Sequence, residues 1–293
     1  MNLEESLESC VVEMMRIAAF NVSPDVVKAL KEALDREESD VARANLSAII
    51  RNIEAAKHER RPICQDTGTP TFFLEIGEDF PVKAKIREVL RRAVRRATKE
   101  IPLRPNAVNP WTLENSGDNT GRMVPIVHME IVEGDSIRLT YLAKGGGSEN
   151  TVQLFMLSPV LGVNGIKKAV LEAAYRAGPK PCPPVIVGVG VGGSSELCLE
   201  IAKRATLRPL DQPNPDEKLR ELEKELLEMI NSLGFGPMGL GGRTYALAVH
   251  IDWAHKHPAS LPVGVSTICW AVRKSVAEVH PDGSFEILAP KVV

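Results

Sequence analysis

Three of the five cysteines in this chain lie in irregular segments rather than in predicted helix interiors. The segments are RPICQDTGTP around Cys64, PKPCPPVIV around Cys182 and STICWAVRK around Cys269, and the first two are rich in Pro, Gly and small polar residues. Because cysteine is otherwise among the most buried residue types, a thiol in such a loop indicates a chemical role. Three loop thiols suggest a soft metal centre with three protein ligands and one open coordination position.

The spacing of these cysteines does not fit a structural zinc site, which uses close pairs such as C-x₂-C. Single thiolates from three distant loops fit a [4Fe–4S] cluster whose fourth iron stays free to bind substrate as a Lewis acid. Cys10 and Cys198 lie on apolar faces of predicted helices, and we interpret both as core thiols. An iron–sulfur redox or sensing module is the alternative from another functional class, and it would need a fourth thiolate near the other three.

Composition excludes several other classes of function. The chain has 293 residues, a net charge of −2, 44% hydrophobic and 25% charged residues, and we expect a single domain over residues 1–293. The charge gives no reason to expect a nucleic acid or an anionic membrane as a partner. The acidic N-terminus does not resemble a signal peptide, and no apolar run reaches the roughly 20 residues that span a bilayer. An odd number of cysteines without a secretion signal indicates reduced thiols in a cytoplasmic protein.

Periodicity predicts a mixture of helices and strands. The first sixty residues read as helices, with Ser23 as an N-cap before Pro24, and a basic amphipathic helix follows from residue 82. Further helices are predicted over 165–177, 194–205 and from 217 onward. The fold class is therefore α/β (mixed α+β), with an N-terminal helical layer packed on mixed sheets and Gly-rich loops converging on an iron–sulfur site.

The strand predictions include one specific pairing. TFFLEI at 71–76 reads as a strand, and the strands MVPIVHMEIV and SIRLTYLAK, separated by Glu133-Gly134-Asp135, are expected to pair as a hairpin. Later strands are predicted at 185–189, in YALAVHI and in VGVSTIC, with a hairpin at the C-terminus. The region 101–121 reads as a long loop, which is often functional in a compact domain.

Two patterns suggest an anion or nucleotide site, and each has a simpler interpretation. Arg91, Arg92, Arg95 and Arg96 could bind anions, but a solvated helix face explains them, since no aromatic residues are interleaved. Gly188, Gly190 and Gly193 match G-x-G-x-x-G, although no second strand ending in Asp or Glu follows, as a dinucleotide site requires. The glycines would then let backbone pass close to something near Cys182, and the helix N-terminus at Ser194 could face an anion.

Several longer motifs together resemble one protein family. They are ICQDTGT at 63–69, LRPN at 103–106, KGGGSEN at 144–150, CPP with GVGVGG over 182–193, GPMGLGG at 236–242, and HPAS through CWAVR at 257–273. In this order and over nearly the whole chain, they resemble the α subunit of two-subunit class I, iron–sulfur fumarate hydratases and of L(+)-tartrate dehydratase. The matching region corresponds to the N-terminal domain of the single-chain enzymes.

The resemblance implies roles for individual residues. Cys64, Cys182 and Cys269 match the ligands of a [4Fe–4S] cluster. Gln65 and Asp66 match residues that contact substrate or the hydroxyl on the open iron, Arg104 matches an arginine that binds a substrate carboxylate, and Gly146 matches a backbone contact to substrate. His257 matches a histidine beside Asp66 and would assist it in proton transfer.

The resemblance also implies an activity and a partner. The leading hypothesis is the hydration of a small dicarboxylate, fumarate to L-malate, and the alternative is dehydration of L(+)-tartrate. Single-chain members continue into a C-terminal domain with further substrate-binding Arg and Thr residues and a catalytic Lys, and no counterpart follows here. We therefore expect a β subunit that completes the active site, in an α2β2-type hetero-oligomer.

Overall fold

The structure, a computed structural model, describes residues 2–290, and eight α-helices lie within them. The helices predicted in the first sixty residues are confirmed, as are the four longer ones that follow. Their bounds are α1 Leu3–Phe20, α2 Pro24–Arg36, α3 Asp40–Glu59, α4 Ile86–Glu100, α5 Gly146–Glu149, α6 Gly162–Ala177, α7 Ser195–Ala205 and α8 Glu217–Asn231.

Nine strands within the described residues form two mixed sheets. One sheet has the order β2-β1-β3-β8-β9 and the other has the order β4-β7-β5-β6. Helices combined with parallel and antiparallel strand pairs confirm the predicted α/β (mixed α+β) class. The strands are β1 Thr69–Gly77, β2 Ile126–Val132, β3 Ile137–Lys144, β4 Gln153–Leu157, β5 Val185–Gly193, β6 Ala246–Lys256, β7 Leu261–Cys269, β8 Lys274–Val279 and β9 Phe285–Ala289.

The chain divides into two compact units, each formed by non-contiguous segments. Unit 1 contains the residues up to Pro24, Asn52–Gly146 and those from Ala271 onward, and unit 2 contains Asp25–Arg51 and Gly147–Trp270. The five-stranded sheet belongs to unit 1 and the four-stranded sheet to unit 2.

Unit 1 has its core between its sheet and two helices. In α4 the buried residues recur at helical spacing, at Ile86, Val89, Leu90, Ala93, Val94 and Ala97, and α1 packs against both α4 and β8. The predicted helical layer on a sheet is thus confirmed for α1. The predicted final hairpin is formed by β8 and β9, while residues 291–293 lie outside the described residues.

The predicted hairpin between β2 and β3 is wrong. Strand β1 lies between them, parallel to β2 and antiparallel to β3. The connection at 133–135 crosses the end of β1, where the N–H groups of Gly77 and Asp79 donate to the carbonyls of Ser136 and Gly134 at 2.8 and 3.0 Å. Because β1 is almost entirely apolar and buried, it takes an interior position and β2 becomes an edge strand.

Unit 2 has helices on both faces of its sheet. Val185, Val187 and Val189 of β5 point toward a core that includes residues of α6 and α8. Gly188 and Gly190 alternate with these valines and face α7. A Cβ at Gly190 would lie 2.8 Å from the Ala202 backbone nitrogen, so the missing side chains allow the helix to pack directly on the strand.

This packing agrees with the rejection of a dinucleotide site and gives the glycines a different partner from the one expected near Cys182. The glycines lie within β5, which continues to Gly193, whereas a dinucleotide fingerprint forms a turn between strand and helix. Gly188 and Gly190 contact α7, whereas Cys182 lies just before the first residue of β5, at the opposite end of the strand from Gly193. At the α7 N-terminus, hydrogen bonds from the Glu196 N–H, Ser194 and Ser195 lower the pKa of the Glu196 carboxyl, so this carboxylate lies at the first turn of the helix.

The arginine face of α4 is engaged in ion pairs, as the solvated-face interpretation predicted. Arg92 lies 3.2 Å from carboxylate oxygens of both Glu4 and Glu8, and Arg95 lies 3.1 Å from Asp118. Such exposed pairs contribute about 0–1 kcal/mol each. Within residues 2–290, no helix combines the length and apolar character required to cross a membrane.

Candidate active site

Asp66 is held in place by two backbone amides in unit 1. One carboxylate oxygen accepts a hydrogen bond from the Gly68 N–H at 2.9 Å, and the other accepts one from the Gly146 N–H at 2.8 Å. The antiparallel register of β1 and β3, which pairs Thr69 with Lys144, brings these two loops to the same end of the sheet. Asp66 and Gly146, which the resemblance assigns separately to substrate contact, are therefore hydrogen-bonded to each other within this unit.

Arg104 belongs to the same network through its backbone. The Thr67 hydroxyl accepts from the Arg104 N–H and donates to the Arg104 carbonyl, both at 3.1 Å. Asn119 donates to that carbonyl as well, and Asn106 donates to the Gly68 carbonyl at 3.2 Å. The Arg104 side chain is exposed, so its guanidinium is accessible to an anion.

Gly146 and Gln65 differ in how readily they can contact a substrate. The Gly146 N–H already donates to Asp66, so binding substrate through this group would require a shared or exchanged hydrogen bond. Gln65 is exposed beside the half-buried Asp66.

The sequence analysis missed the supporting residues of this network. Thr67, Asn106 and Asn119 hold the two loops together, and Asn106 was visible only as the last residue of the LRPN motif. Arg273 was also missed, although it ends the CWAVR motif. Its side chain is buried beneath the glycine loop, and its Nη2 lies 3.0 Å from the position that a Gly145 Cβ would occupy.

Unit 2 brings Cys182 and Cys269 to the same end of its sheet. Cys269 ends β7 opposite Val185, the first residue of β5, and Cys182 precedes Val185 by three residues. Cys182 is exposed and has a φ of +55°, a left-handed conformation that is uncommon for a residue with a side chain. Strained backbone of this kind clusters at functional sites.

Glycine-rich segments surround the Cys182 turn. The Met238 N–H donates to the Pro183 carbonyl at 2.8 Å, which joins the GPMGLGG segment to this turn. A Cβ at Gly239 would lie 3.0 Å from the Pro179 Cα, and one at Gly147 would lie 2.8 Å from the Lys180 carbonyl oxygen. Within unit 2, Gly-rich segments therefore lie against the turn that contains Cys182, and their convergence on an iron–sulfur site stays a prediction.

Cys64 lies in unit 1, in the segment that leads from α3 to Asp66. The preceding Ile63 is held on both sides, because its N–H donates to the Ala19 carbonyl at 3.0 Å and its carbonyl accepts from the Asn52 side chain at 2.9 Å. Cys64 itself is half-buried. The backbone next to Cys64 is thus anchored by hydrogen bonds, and its thiol is partly exposed.

His257 is distant from the cysteines of its own unit. It follows β6 in the short turn before β7, and Cys269 is at the opposite end of β7. Eight residue steps at about 3.3 Å place the two ends of this strand about 26 Å apart. The His257 ring accepts a hydrogen bond from the Ala259 N–H at 3.1 Å, which makes it a local turn-stabilising group. His257 therefore lies far from Cys269 within unit 2, and its expected role beside Asp66, a residue of unit 1, stays a prediction.

The other two cysteines are core residues, as predicted. Cys10 and Cys198 are both 0% exposed. Burial raises the pKa of the Cys10 thiol to about 12 and that of Cys198 to about 11. Neither thiol can ionise readily, so neither is suited to be the fourth cluster ligand that the redox-module alternative requires.

The donor chemistry of the three loop cysteines fits an iron–sulfur cluster. Cys64, Cys182 and Cys269 are the three cysteines that are not buried, and thiolate is a soft ligand suited to iron–sulfur clusters. Within residues 2–290, no three His, Cys, Asp or Glu side chains lie close enough to hold a single metal ion. The match to a cluster is therefore one of ligand type alone.

Alkylation of the thiols at pH 8 should separate the two classes of cysteine. We expect iodoacetamide to modify Cys64, Cys182 and Cys269 in the native, metal-free chain, and to leave Cys10 and Cys198 unmodified because burial suppresses their thiolate forms. Peptide mass mapping measures the result, and labelling in denaturant, where all five should react, is the control. Native labelling of Cys198 ahead of Cys182 would contradict this assignment.

Comparisons with known proteins identify the family of this chain. A sequence model of the family described as "Fumarate hydratase (Fumerase)" matches residues 8–278. A Methanocaldococcus jannaschii protein named "Putative L(+)-tartrate dehydratase subunit alpha" is 45% identical over 280 residues, covering 94% of this chain and 98% of that protein. Proteins named L(+)-tartrate dehydratase subunit alpha from Escherichia coli UTI89 and Shigella sonnei are 37% identical over 284 residues, covering 97% of this chain and 94% of each relative.

The chain belongs to the fumarate hydratase (Fumerase) family. The family description and the names of the relatives denote hydro-lyases, enzymes that add water to a substrate or remove it. The resemblance inferred from the sequence motifs is confirmed.

Proposed function

We propose that the chain is the α subunit of a [4Fe–4S]-dependent hydro-lyase that dehydrates L(+)-tartrate. The observation that carries this proposal is the set of relatives with that subunit name, at 37–45% identity over nearly their whole length. The sequence analysis preferred fumarate and kept tartrate as the alternative, and the relatives' names favour the alternative.

The residues of unit 1 support the substrate chemistry. Asp66 has both carboxylate oxygens oriented by backbone N–H groups, so it is positioned to take part in proton transfer at the substrate hydroxyl. The exposed Arg104 guanidinium offers a planar pair of donors that matches a carboxylate. Gln65 can donate to or accept from the same hydroxyl. These groups bind and orient a hydroxylated dicarboxylate.

We further propose that Cys64, Cys182 and Cys269 hold the cluster. When bound, it supplies a Lewis-acidic iron at the corner without a protein ligand. The accessibility of the three thiols and the left-handed backbone at Cys182 support these residues over Cys10 and Cys198.

A β subunit is part of the proposal, because the relatives are named as α subunits. It would supply the remaining substrate-binding groups and the base or acid at the second carbon. We propose an α2β2-type complex.

Fumarate hydration is the second candidate, favoured by the description of the family that matches residues 8–278. The two reactions share the dicarboxylate and the carbon that carries the leaving hydroxyl. They differ in the second hydroxyl of tartrate, which a site must accommodate with hydrogen bonds.

Anaerobic co-expression with the β subunit tests the function. We expect the complex to dehydrate L(+)-tartrate with a kcat/KM at least about 100-fold above that for fumarate, since sites built to hydrogen-bond a hydroxyl discriminate strongly against analogues without it. The α chain alone should be inactive. A preference for fumarate would select the second candidate, and inactivity of the iron-loaded complex on both substrates would contradict the hydro-lyase proposal.

A complex that carries Asp66→Asn tests whether the measured activity depends on the Asp66 carboxylate. The amide retains the shape of the side chain but cannot take up a proton, so turnover should be lost while iron content is unchanged. Asp79→Asn, at an exposed position beyond β1, is the matched variant that should retain activity.

A further inference from the structure

A buried guanidinium with unsatisfied donors lies beside the glycine loop of unit 1. The Arg273 side chain belongs to a residue that is 2% exposed, and its Nε and Nη1 atoms have no hydrogen-bond partner within the described part of the chain. Most buried polar groups in proteins have a partner, so a group of this kind calls for an acceptor. A buried charged donor without one costs more than a neutral donor.

Arg273 and Asp66 approach each other across Gly145. A Cβ at Gly145 would lie 2.9 Å from a carboxylate oxygen of Asp66 and 3.0 Å from Nη2 of Arg273, so these two atoms are at most about 6 Å apart. The Ala143 N–H donates to the Arg273 carbonyl at 2.9 Å, which fixes the arginine backbone next to β3. Because Gly145 has no side chain, the guanidinium can approach the glycine loop this closely.

Asp66 does not satisfy these donors. Its oxygens accept from Gly68 and Gly146, and within residues 2–290 the Nε and Nη1 atoms of Arg273 have no hydrogen-bond partner. Two further buried cations, Lys144 and Lys274, lie at this end of the sheet at 3% and 6% exposure. Both have partners of their own, so the unmet donors are those of Arg273. The concentration of positive charge favours an anion as the missing acceptor.

We propose that Arg273 binds a carboxylate of the substrate, as a second arginine in addition to Arg104. The inference rests on the proposed function, since it places a group of the dicarboxylate next to Asp66. A guanidinium presents two parallel N–H donors to a carboxylate, which suits this ligand better than a hydroxyl or water. Arg273 and Arg104 would then bind the dicarboxylate together with the groups that the proposed β subunit supplies.

Kinetics of Arg273→Gln and Arg273→Lys in the iron-loaded αβ complex test this inference. We expect the KM for L(+)-tartrate to rise roughly 10- to 100-fold in Arg273→Gln, as for loss of a charged hydrogen bond, and less in Arg273→Lys. The kcat should change little. Arg138→Gln is the matched control, because Arg138 lies on β3 with its side chain 54% exposed, and its KM should equal that of the wild type.

Three results would overturn the inference. A fall in kcat with unchanged KM would mean that Arg273 acts through Asp66. A fall in iron and sulfide content would mean that its donors serve the cluster. A lower Tm with normal kinetics would mean a structural role only.

Binding of an unreactive dicarboxylate separates this inference from the proposed function. Succinate should raise the Tm of the wild-type complex and not that of Arg273→Gln, while acetate at the same ionic strength is the control. If the complex is inactive on both substrates, the proposed function fails and the succinate result still decides the role of Arg273. Equal stabilisation of both proteins by succinate would overturn that role.

Discussion

The Cys182→Ala chain, co-expressed with the proposed β subunit, should contain no stable cluster and show no measurable hydro-lyase activity. Cys182 is exposed, has a left-handed backbone conformation and precedes the strand that pairs with Cys269. A cluster that already has only three protein ligands cannot lose one without becoming labile. Iron and sulfide per chain, the visible absorbance of the cluster and the initial rate on L(+)-tartrate measure the effect.

Cys198→Ala is the matched control for this variant, because it removes the same atom from another cysteine of unit 2. Cys198 is completely buried in α7, so we expect a modest loss of stability with full iron content and activity. Wild-type iron content in Cys182→Ala, or loss of iron in Cys198→Ala, would contradict the assignment of ligands.

The Gly190→Ala chain should lose about 3 kcal/mol or more of its free energy of unfolding. A Cβ at this position would overlap the Cys198 carbonyl oxygen and lie 2.8 Å from the Ala202 backbone nitrogen. Because both atoms belong to the backbone of α7, the helix would have to move away from β5, and overpacking of this kind typically costs about 1–3 kcal/mol or more. For a chain of this size, the expected fall in Tm is about 6–12 °C.

Gly121→Ala is the control for the glycine substitution. A Cβ at Gly121 would have no atom within 4 Å, and the residue is not in the left-handed region. Its Tm should therefore stay close to that of the wild type in the same circular-dichroism scan. A Tm for Gly190→Ala within about 2 °C of the control would contradict direct packing of α7 on β5.

Much of the unit 1 site could be predicted from the sequence, because its residues lie in recognisable motifs. Asp66, Arg104 and Gly146 were named from three separate segments, and the network around Asp66 and Thr67 connects all three. The supporting role of Asn119 was not predictable, since a hydrogen bond to Arg104 depends on how the long loop returns on itself.

Patterns within a short stretch of sequence correctly predicted those features that depend only on neighbouring residues. Helical spacing of apolar residues predicted α4 and the burial of Cys10 and Cys198, because a helix places residues of one face together regardless of the rest of the chain. Pro and Gly around Cys182 likewise indicated a turn rather than core.

The features that the sequence did not predict depend on contacts between segments distant along the chain. Four features involve residues that are distant in sequence. They are the position of β1 between β2 and β3, the contact of Gly190 with α7, the separation of His257 from Cys269 and the approach of Arg273 to Gly145. Their proximity depends on strand order and packing of helices on sheets, which periodicity along the chain does not encode. The amino-acid sequence therefore showed which residue types are available for chemistry. The strand order and the packing of helices on the sheets determined which of these residues are in contact.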